Sequence, residues 1–293
     1  MKFALFSGST PEWAPLELAG RLKAQGWDGV EWRVLDQKPS AEPGFWAGNR
    51  ATFPLTGLAD LAADVAAATQ GSGLEHAGIA GYASVADHAE VESLLAATAR
   101  LGARRARVAV PKVPPGSSYD AIFRQTRADI AAVSTIARRH GVTALIQIHH
   151  GNVVSTASAA LRMLDGIDPE TVGVIHDLGN MTIEGREGLN TYAPGMEMLG
   201  PYLAHVHVKN AVWKPGPPQA DGTVDWAWSW APLASGLGDV KSYMRSLREV
   251  GYDGWVTVEN FTTDVPLVAR IAGDLAYLRA AARAAGYTLK GAA

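Results

Sequence analysis

The chain has 293 residues, of which 47% are hydrophobic, and this is enough to bury one large core or two smaller ones. Its 26 basic and 29 acidic residues give a formal net charge of −3, and the lack of a basic bias argues against nucleic acid as a partner. The absence of cysteine excludes disulfides and thiolate ligands, so any metal must be bound by oxygen and imidazole atoms.

The sequence also indicates where the protein acts. The apolar run in MKFALFSGSTPEW is too short for a signal peptide, and no other run approaches the roughly 20 apolar residues of a membrane span. We therefore expect a cytoplasmic protein that has no membrane partner and could form homo-oligomers.

Short β-rich runs alternate with longer helical segments along the chain. The predicted strands are Phe3–Phe6, Gly29–Trp32, Leu74–Ala80, Arg105–Val110, Val142–Ile148, Val172–Ile175, Leu203–Val208 and Trp255–Val258. The predicted helices are Ala14–Gln25, Thr56–Gln70, Asp87–Leu101, Tyr119–His140, Thr156–Leu164, Val240–Val250 and Pro266–Ala285. This α/β alternation predicts a closed (β/α)₈ TIM barrel that occupies residues 1–293 as a single domain. The alternative is an open doubly wound sheet, but FSGSTPEW lacks the glycine-rich phosphate turn expected after its first strand.

Two connections are longer than a plain barrel requires. They are Leu35–Pro54 and Ala211–Gly238, and each follows a predicted strand. In a barrel such connections lie at the carboxyl ends of the strands, where active sites form. We expect the second to be a long loop, whose tryptophans in the run DWAWSW either contact a ligand or anchor the loop.

Four polar residues end strand-like runs in the second half of the chain, namely Gln147, Asp177, His207 and Glu259. Their spacing is that of successive strand–helix units, so three oxygen donors and one imidazole would converge at one end of the barrel. This donor set suits one divalent cation, with Mn, Mg, Co, Fe and Zn as candidates. A hydrogen-bonded network without a metal is the alternative.

The motifs around these residues resemble the xylose-isomerase-like superfamily of TIM-barrel sugar isomerases and epimerases. The matching segments are GWDGVE at 26–31, QIH at 147–149, DLGN at 177–180, HVHVKN at 205–210 and GYDGWVTVE at 251–259. The resemblance implies a divalent cation at the four residues named above and a carbohydrate substrate. The cation would polarise a carbonyl group while a carboxylate removes the neighbouring proton.

The fifth strand departs from the family pattern, because Gln147 stands where a glutamate is usual. A glutamine can offer its carbonyl oxygen to a cation, but it brings no charge and cannot act as a base. We therefore predict a metal-dependent sugar or keto-sugar isomerase or epimerase with Glu259 as the base. The first alternative is a metal-assisted lyase or dehydratase with His149 or Lys209 as proton donor. The second is a sugar-binding barrel without catalysis.

Other polar and aromatic residues near the predicted strand ends are candidates for substrate contacts. Glu31 ends the second strand, where it could instead pair with Arg33, and Asn180 could support a metal ligand rather than touch substrate. The full set of predicted substrate contacts is Trp13, Glu31, His76, Arg107, Asn180 and Trp213.

Overall fold

Parallel strands close into a barrel in the computed structural model, which describes residues 1–185 and 192–289. The strands of these residues are β1 (Lys2–Phe6), β2 (Gly29–Val34), β3 (Thr52–Phe53), β4 (Glu75–Ala80), β5 (Arg105–Arg107), β6 (Thr143–Gln147), β7 (Val172–Asp177), β8 (Leu203–Val208), β9 (Asn210–Pro218), β10 (Val224–Ala231) and β11 (Trp255–Val258). The barrel order is β1-β2-β4-β5-β6-β7-β8-β11, and β1 pairs with both β2 and β11 to close it. The predicted (β/α)₈ barrel is confirmed.

Helices surround this barrel. Those of the described residues are α1 (Pro15–Gln25), α2 (Ala62–Thr69), α3 (His88–Arg100), α4 (Tyr119–His140), α5 (Ala157–Leu164), α6 (Leu178–Glu184), α7 (Tyr192–Leu199), α8 (Val240–Glu249) and α9 (Leu267–Ala284). Asp87, Thr156 and Asp239 begin three of them, because each side chain accepts a hydrogen bond from a backbone N–H of the first turn. None of these helices is long and apolar enough to cross a membrane.

The hydrophobic core lies between the strands and the helices. Outward-facing strand residues such as Val30, Val174 and Val256 are buried in it against helix residues such as Leu18 and Leu278. Each such side chain contributes roughly 1.5–3 kcal/mol through the apolar surface that it removes from water. Two small apolar clusters are separate from this core. These clusters are Ala4, Ala77 and Trp255, and Phe6, Ala80 and Phe261.

The connection after β8 differs from the prediction. The expectation of a long loop over Ala211–Gly238 is wrong, because β9 and β10 pair there as an antiparallel hairpin. The run DWAWSW alternates between tryptophan and smaller residues, which is the period of a strand, so the pattern favoured β structure. The helix α6 was not predicted either, because its segment contains Gly179 and Asn180 and has little helical propensity. Asp177 starts that helix by accepting the backbone N–H of Asn180 at 2.9 Å.

Candidate active site

The carboxyl ends of β6, β7, β8 and β11 bring the four predicted ligand residues together. Asp177 lies opposite His207 in the strand register, and His207 lies opposite Thr257, two residues before Glu259. Nδ1 of His207 is 3.2 Å from Oε1 of Glu259 and 3.8 Å from Oδ2 of Asp177. Gln147 is also buried here and donates its amide N–H to Oδ2 of Asp177 at 2.6 Å.

Three of these residues form a group that could hold a metal ion. Asp177, His207 and Glu259 are fully or almost fully buried, and each offers one ligand atom within 4.8 Å of the other two. Two carboxylates and one imidazole fit a divalent cation that accepts oxygen and nitrogen ligands. The donor set therefore suits the metal that the family resemblance implies.

Gln147 is oriented differently from a ligand. The guanidinium of Arg107 donates Nη1–H to Oε1 of Gln147 at 3.0 Å, and because a guanidinium can only donate, the amide oxygen must face Arg107. The amide nitrogen consequently faces Asp177 and lies 3.1 Å from Nδ1 of His207. The structure thus brings Gln147 to the predicted site but does not direct its oxygen at the other three ligands.

Glu31 supports His207 from inside the barrel. Oε2 of Glu31 lies 2.9 Å from Nε2 of His207 and 3.2 Å from Nε2 of His205, whose Nε2 is also 2.9 Å from Oγ1 of Thr257. Contact with Glu31 engages Nε2 of His207 and leaves Nδ1 directed at the other ligands, as carboxylates behind metal-binding histidines do. These three residues, Glu31, His205 and His207, form a second group with donor atoms within 4.8 Å.

Lys209 introduces a cation into the middle of the site. Its Nζ lies 2.7 Å from Oδ2 of Asp177 and forms an ion pair with Glu259. Burial opposes the charge of Lys209, but Asp177 and Glu259 raise its pKa, so the ammonium stays protonated. Burial likewise opposes ionisation of Glu259, whereas Lys209 and His207 hold its pKa below the ordinary value.

The charges of the site balance. Burial opposes protonation of His207, but Glu31 and Glu259 raise its pKa to about 10, so this imidazole is a cation at neutral pH. A metal must therefore displace both this proton and the ammonium of Lys209. Three buried carboxylates, Glu31, Asp177 and Glu259, are matched by three buried cations, Arg107, His207 and Lys209.

His149 lies at the same end of the barrel and is neutral. Burial, together with the nearby charge of Lys209, lowers its pKa to about 4. Nδ1 of His149 lies 2.9 Å from the carbonyl oxygen of His150, so the proton sits on Nδ1 and Nε2 keeps its lone pair. At neutral pH Nε2 of His149 therefore offers an acceptor, and of these two residues only Lys209 carries a positive charge.

The remaining predicted contact residues divide into two groups. Asn180 is fully buried beside the site and donates Nδ2–H to Oδ2 of Asp177 at 2.8 Å. Trp13 is buried in the main core with Arg21 over its ring, Trp213 donates to the carbonyl of Thr182, and His76 lies at the amino end of β4. Arg107 belongs to the site, whereas Trp13, His76 and Trp213 are not brought to the ligand group.

Aromatic residues at the barrel mouth were not singled out as a set by the sequence. Phe261 is contacted by the rings of Phe45, Trp46 and Trp230, with centroids 5.5, 5.0 and 5.4 Å from its own. Nζ of Lys209 is 5.5 Å from the ring centroid of Trp230, so this cluster lies beside the charged site. The only sequence signal was the position of Phe261, two residues after Glu259.

The sequence model of one protein family, the xylose isomerase-like TIM barrel family, matches residues 20–281. The chain belongs to this family. Curated inosose dehydratases from Lacticaseibacillus casei are 23% identical over 128 residues, which are 42% of this chain and 42% of the relative. The chain thus matches less than half the length of these relatives.

Solved structures of other proteins have the same fold. The 3-keto-D-glucoside 4-epimerase of E. coli is 20% identical, with a TM-score of 0.68 over 96% of this chain and 99% of that one. A xylose isomerase-like TIM barrel protein from Mycobacterium smegmatis in complex with magnesium is 17% identical, with a TM-score of 0.68 over 97% and 98%. At these identities the likeness establishes the barrel, while the substrate depends on the site.

Proposed function

We propose that the protein is a divalent-metal-dependent isomerase or epimerase of a keto-sugar or related polyol, with Glu259 as the base. The observation that carries the proposal is the buried group of Asp177, His207 and Glu259, whose donor atoms lie within 4.8 Å of one another. Family membership supports it, since structural relatives include an epimerase of keto-glucosides and a magnesium complex. A carbohydrate small molecule is the expected partner.

The ligand residues would hold a cation that polarises the substrate carbonyl and so acidifies the neighbouring C–H bond. Glu259 is ionised, and its two oxygens face different groups: Oε1 faces His207 and Oε2 faces Lys209. The carboxylate can therefore serve as a ligand through Oε1 and accept the proton through Oε2. Lys209 is protonated and can donate a proton to the substrate oxygen.

A dehydratase is the second candidate, and Gln147 is the observation that favours it. Because Gln147 replaces a glutamate, a second carboxylate that could return a proton to the opposite face of the substrate is missing at this position. In elimination, Glu259 would take the C–H proton, the new C=C bond would form, and hydroxide would leave with a proton from Lys209 as water. The inosose dehydratases among the curated relatives support this reading.

Solvent deuterium exchange distinguishes these functions. The manganese-loaded protein would be incubated in D₂O with a panel of keto-sugars and keto-inositols and followed by NMR. Deuterium incorporation without loss of water supports the isomerase or epimerase, and loss of water supports the dehydratase. Binding without either reaction would leave a sugar-binding barrel and refute the proposal.

Two variants test the assigned base. Glu259→Gln should abolish exchange, because an amide cannot accept the proton, while the protein should remain folded with a lower melting temperature, since Lys209 loses a buried ionic partner. Glu75→Gln is the matched control, since Glu75 is exposed at the amino end of β4. Exchange that persists in Glu259→Gln would remove Glu259 as the base.

A further inference from the structure

A cavity of about 280 Å³ lies directly beside the proposed reaction centre. Gln147 belongs both to its wall and to the ligand group, because its amide contacts Asp177. None of the described residues that line the cavity is acidic. Its polar lining consists of Tyr82, Arg107, Lys112, Gln147, His149 and Asn152.

Arg107, in the wall of this cavity, carries a cationic donor without a partner. The residue is only 8% exposed, and it donates Nε–H to the carbonyl of Gly81 at 3.1 Å and Nη1–H to Gln147. Nη2 is buried and has no hydrogen-bond partner within the described part of the chain. The ring centroid of Tyr82 lies 4.2 Å from Cζ and fixes the guanidinium plane. A buried charged donor without a partner is costly, which indicates that a ligand supplies the acceptor.

Other lining residues indicate what kind of ligand this is. Lys112 is exposed and adds a second positive charge at the rim. Oδ1 of Asn152 is a second buried atom without a partner among the described residues, and it can accept a hydrogen bond from a hydroxyl. Nε2 of His149 is also an acceptor. Positively charged hydrogen-bond donors next to acceptors for hydroxyl groups suit an acidic polyol.

We propose that the cavity binds a carboxylate of the substrate, so that the protein acts on an acidic keto-sugar or keto-polyol. Nη2 of Arg107 and the ammonium of Lys112 would be the partners of the carboxylate. One free guanidinium nitrogen and one lysine suit a monoanion, whereas a phosphate dianion is usually bound by several more donors. The statement that the reaction takes place beside this cavity rests on the proposed function.

This assignment also gives a physical reason for Gln147. A glutamate at position 147 would place a negative charge on the cavity wall and form an ion pair with Arg107. Glutamine keeps the hydrogen bond to Nη1 but forms no direct ion pair with Arg107, so the guanidinium can pair with an anionic ligand. The departure from the family pattern thus becomes a determinant of substrate charge.

Calorimetric titration with a matched pair of probes tests this proposal. D-gluconate and D-glucitol are linear six-carbon polyols that differ in one carboxylate, and the full-length protein should bind gluconate more tightly by about tenfold or more. Arg107→Met should weaken gluconate binding by about 10- to 100-fold and leave glucitol binding unchanged. Gln147→Glu should also weaken gluconate binding although Arg107 is still present, and a merely structural role of Arg107 does not produce that result.

Lys112→Gln provides a variant at an exposed position, where folding is not at risk, and should weaken gluconate binding selectively by a few fold. Equal affinity for gluconate and glucitol, or unchanged selectivity in all three variants, would overturn the proposal. Tighter binding of inorganic phosphate than of gluconate would overturn the carboxylate assignment. Since the assay needs no turnover, selective gluconate binding without deuterium exchange refutes the proposed reaction and leaves the carboxylate site standing.

Discussion

Binding of a divalent cation should tighten by about tenfold for each pH unit between about pH 6 and about pH 9, because His207 must release a proton. Oε2 of Glu31 lies 2.9 Å from Nε2 of this imidazole, and Oε1 of Glu259 lies 3.2 Å from Nδ1. Burial opposes the positive charge, yet these carboxylates raise the pKa of His207 to about 10. Since one pKa unit corresponds to about 1.4 kcal/mol, the proton costs the metal about 4 kcal/mol of binding free energy at pH 7.

The direction of this pH dependence follows from which protonation form of His207 binds the metal. Only the neutral imidazole is a ligand, so below the raised pKa the proton competes and affinity falls as pH falls. Lys209 must move away from Asp177 and Glu259, but it keeps its proton throughout this range because even the ordinary pKa of a lysine, about 10.4, lies above the range. The expected slope is therefore that of one released proton.

Titration calorimetry with Mn²⁺ at three pH values across this range measures the slope. Glu31→Gln should flatten it above about pH 7.5, because the pKa of His207 then falls towards its ordinary value. Glu75→Gln, at an exposed carboxylate of β4, should leave the slope unchanged. A parent protein whose Mn²⁺ affinity does not vary with pH would refute the reasoning.

The structure also predicts the direction of the effects of three further substitutions. Lys209→Met should bind Mn²⁺ more tightly, because no ammonium then competes for Asp177, while turnover should fall by more than about 100-fold. Gly179→Ala should lower the free energy of unfolding by at least about 1–3 kcal/mol, since its Cβ would lie 2.9 Å from the backbone oxygen of Lys209. Burial raises the pKa of Asp274 to about 6, so its neutral form stabilises the fold at low pH and this stability is lost as pH rises through 6. Asp274→Asn should therefore stabilise the protein by up to about 3 kcal/mol at pH 8 and hardly at pH 4.

Each of these changes has its own measurement and control. Calorimetry and deuterium exchange report on Lys209→Met, and unchanged Mn²⁺ affinity would contradict the expected competition. Urea unfolding reports on the other two variants. Gly20→Ala, in α1 with no atom within 4 Å of its Cβ, should be neutral or stabilising, so an equal loss in both alanine variants would exclude the clash at Gly179. Equal stabilisation by Asp274→Asn at both pH values would show that the carboxyl group does not titrate as argued.

The sequence predicted the barrel because its pattern is local. Apolar strand runs and capped helices repeat along the chain, and the helix Tyr119–His140 was predicted with the bounds that the structure has. The helix after Asp177 and the hairpin were missed. Asp177 caps that helix locally, but Gly179 and Asn180 give the segment little helical propensity, whereas β9 is anchored by Trp213 on the carbonyl of Thr182, 31 residues away in the sequence.

The amino-acid sequence by itself determined the barrel and the convergence of Gln147, Asp177, His207 and Glu259, because strand alternation and parallel strand order place these residues at one end. Only the tertiary structure decided what each side chain contacts. Glu31 lies against His207, 176 residues away, and Arg107 orients the amide of Gln147 from 40 residues away. Such contacts depend on how the closed barrel packs its interior, and a single sequence carries no local signal for them.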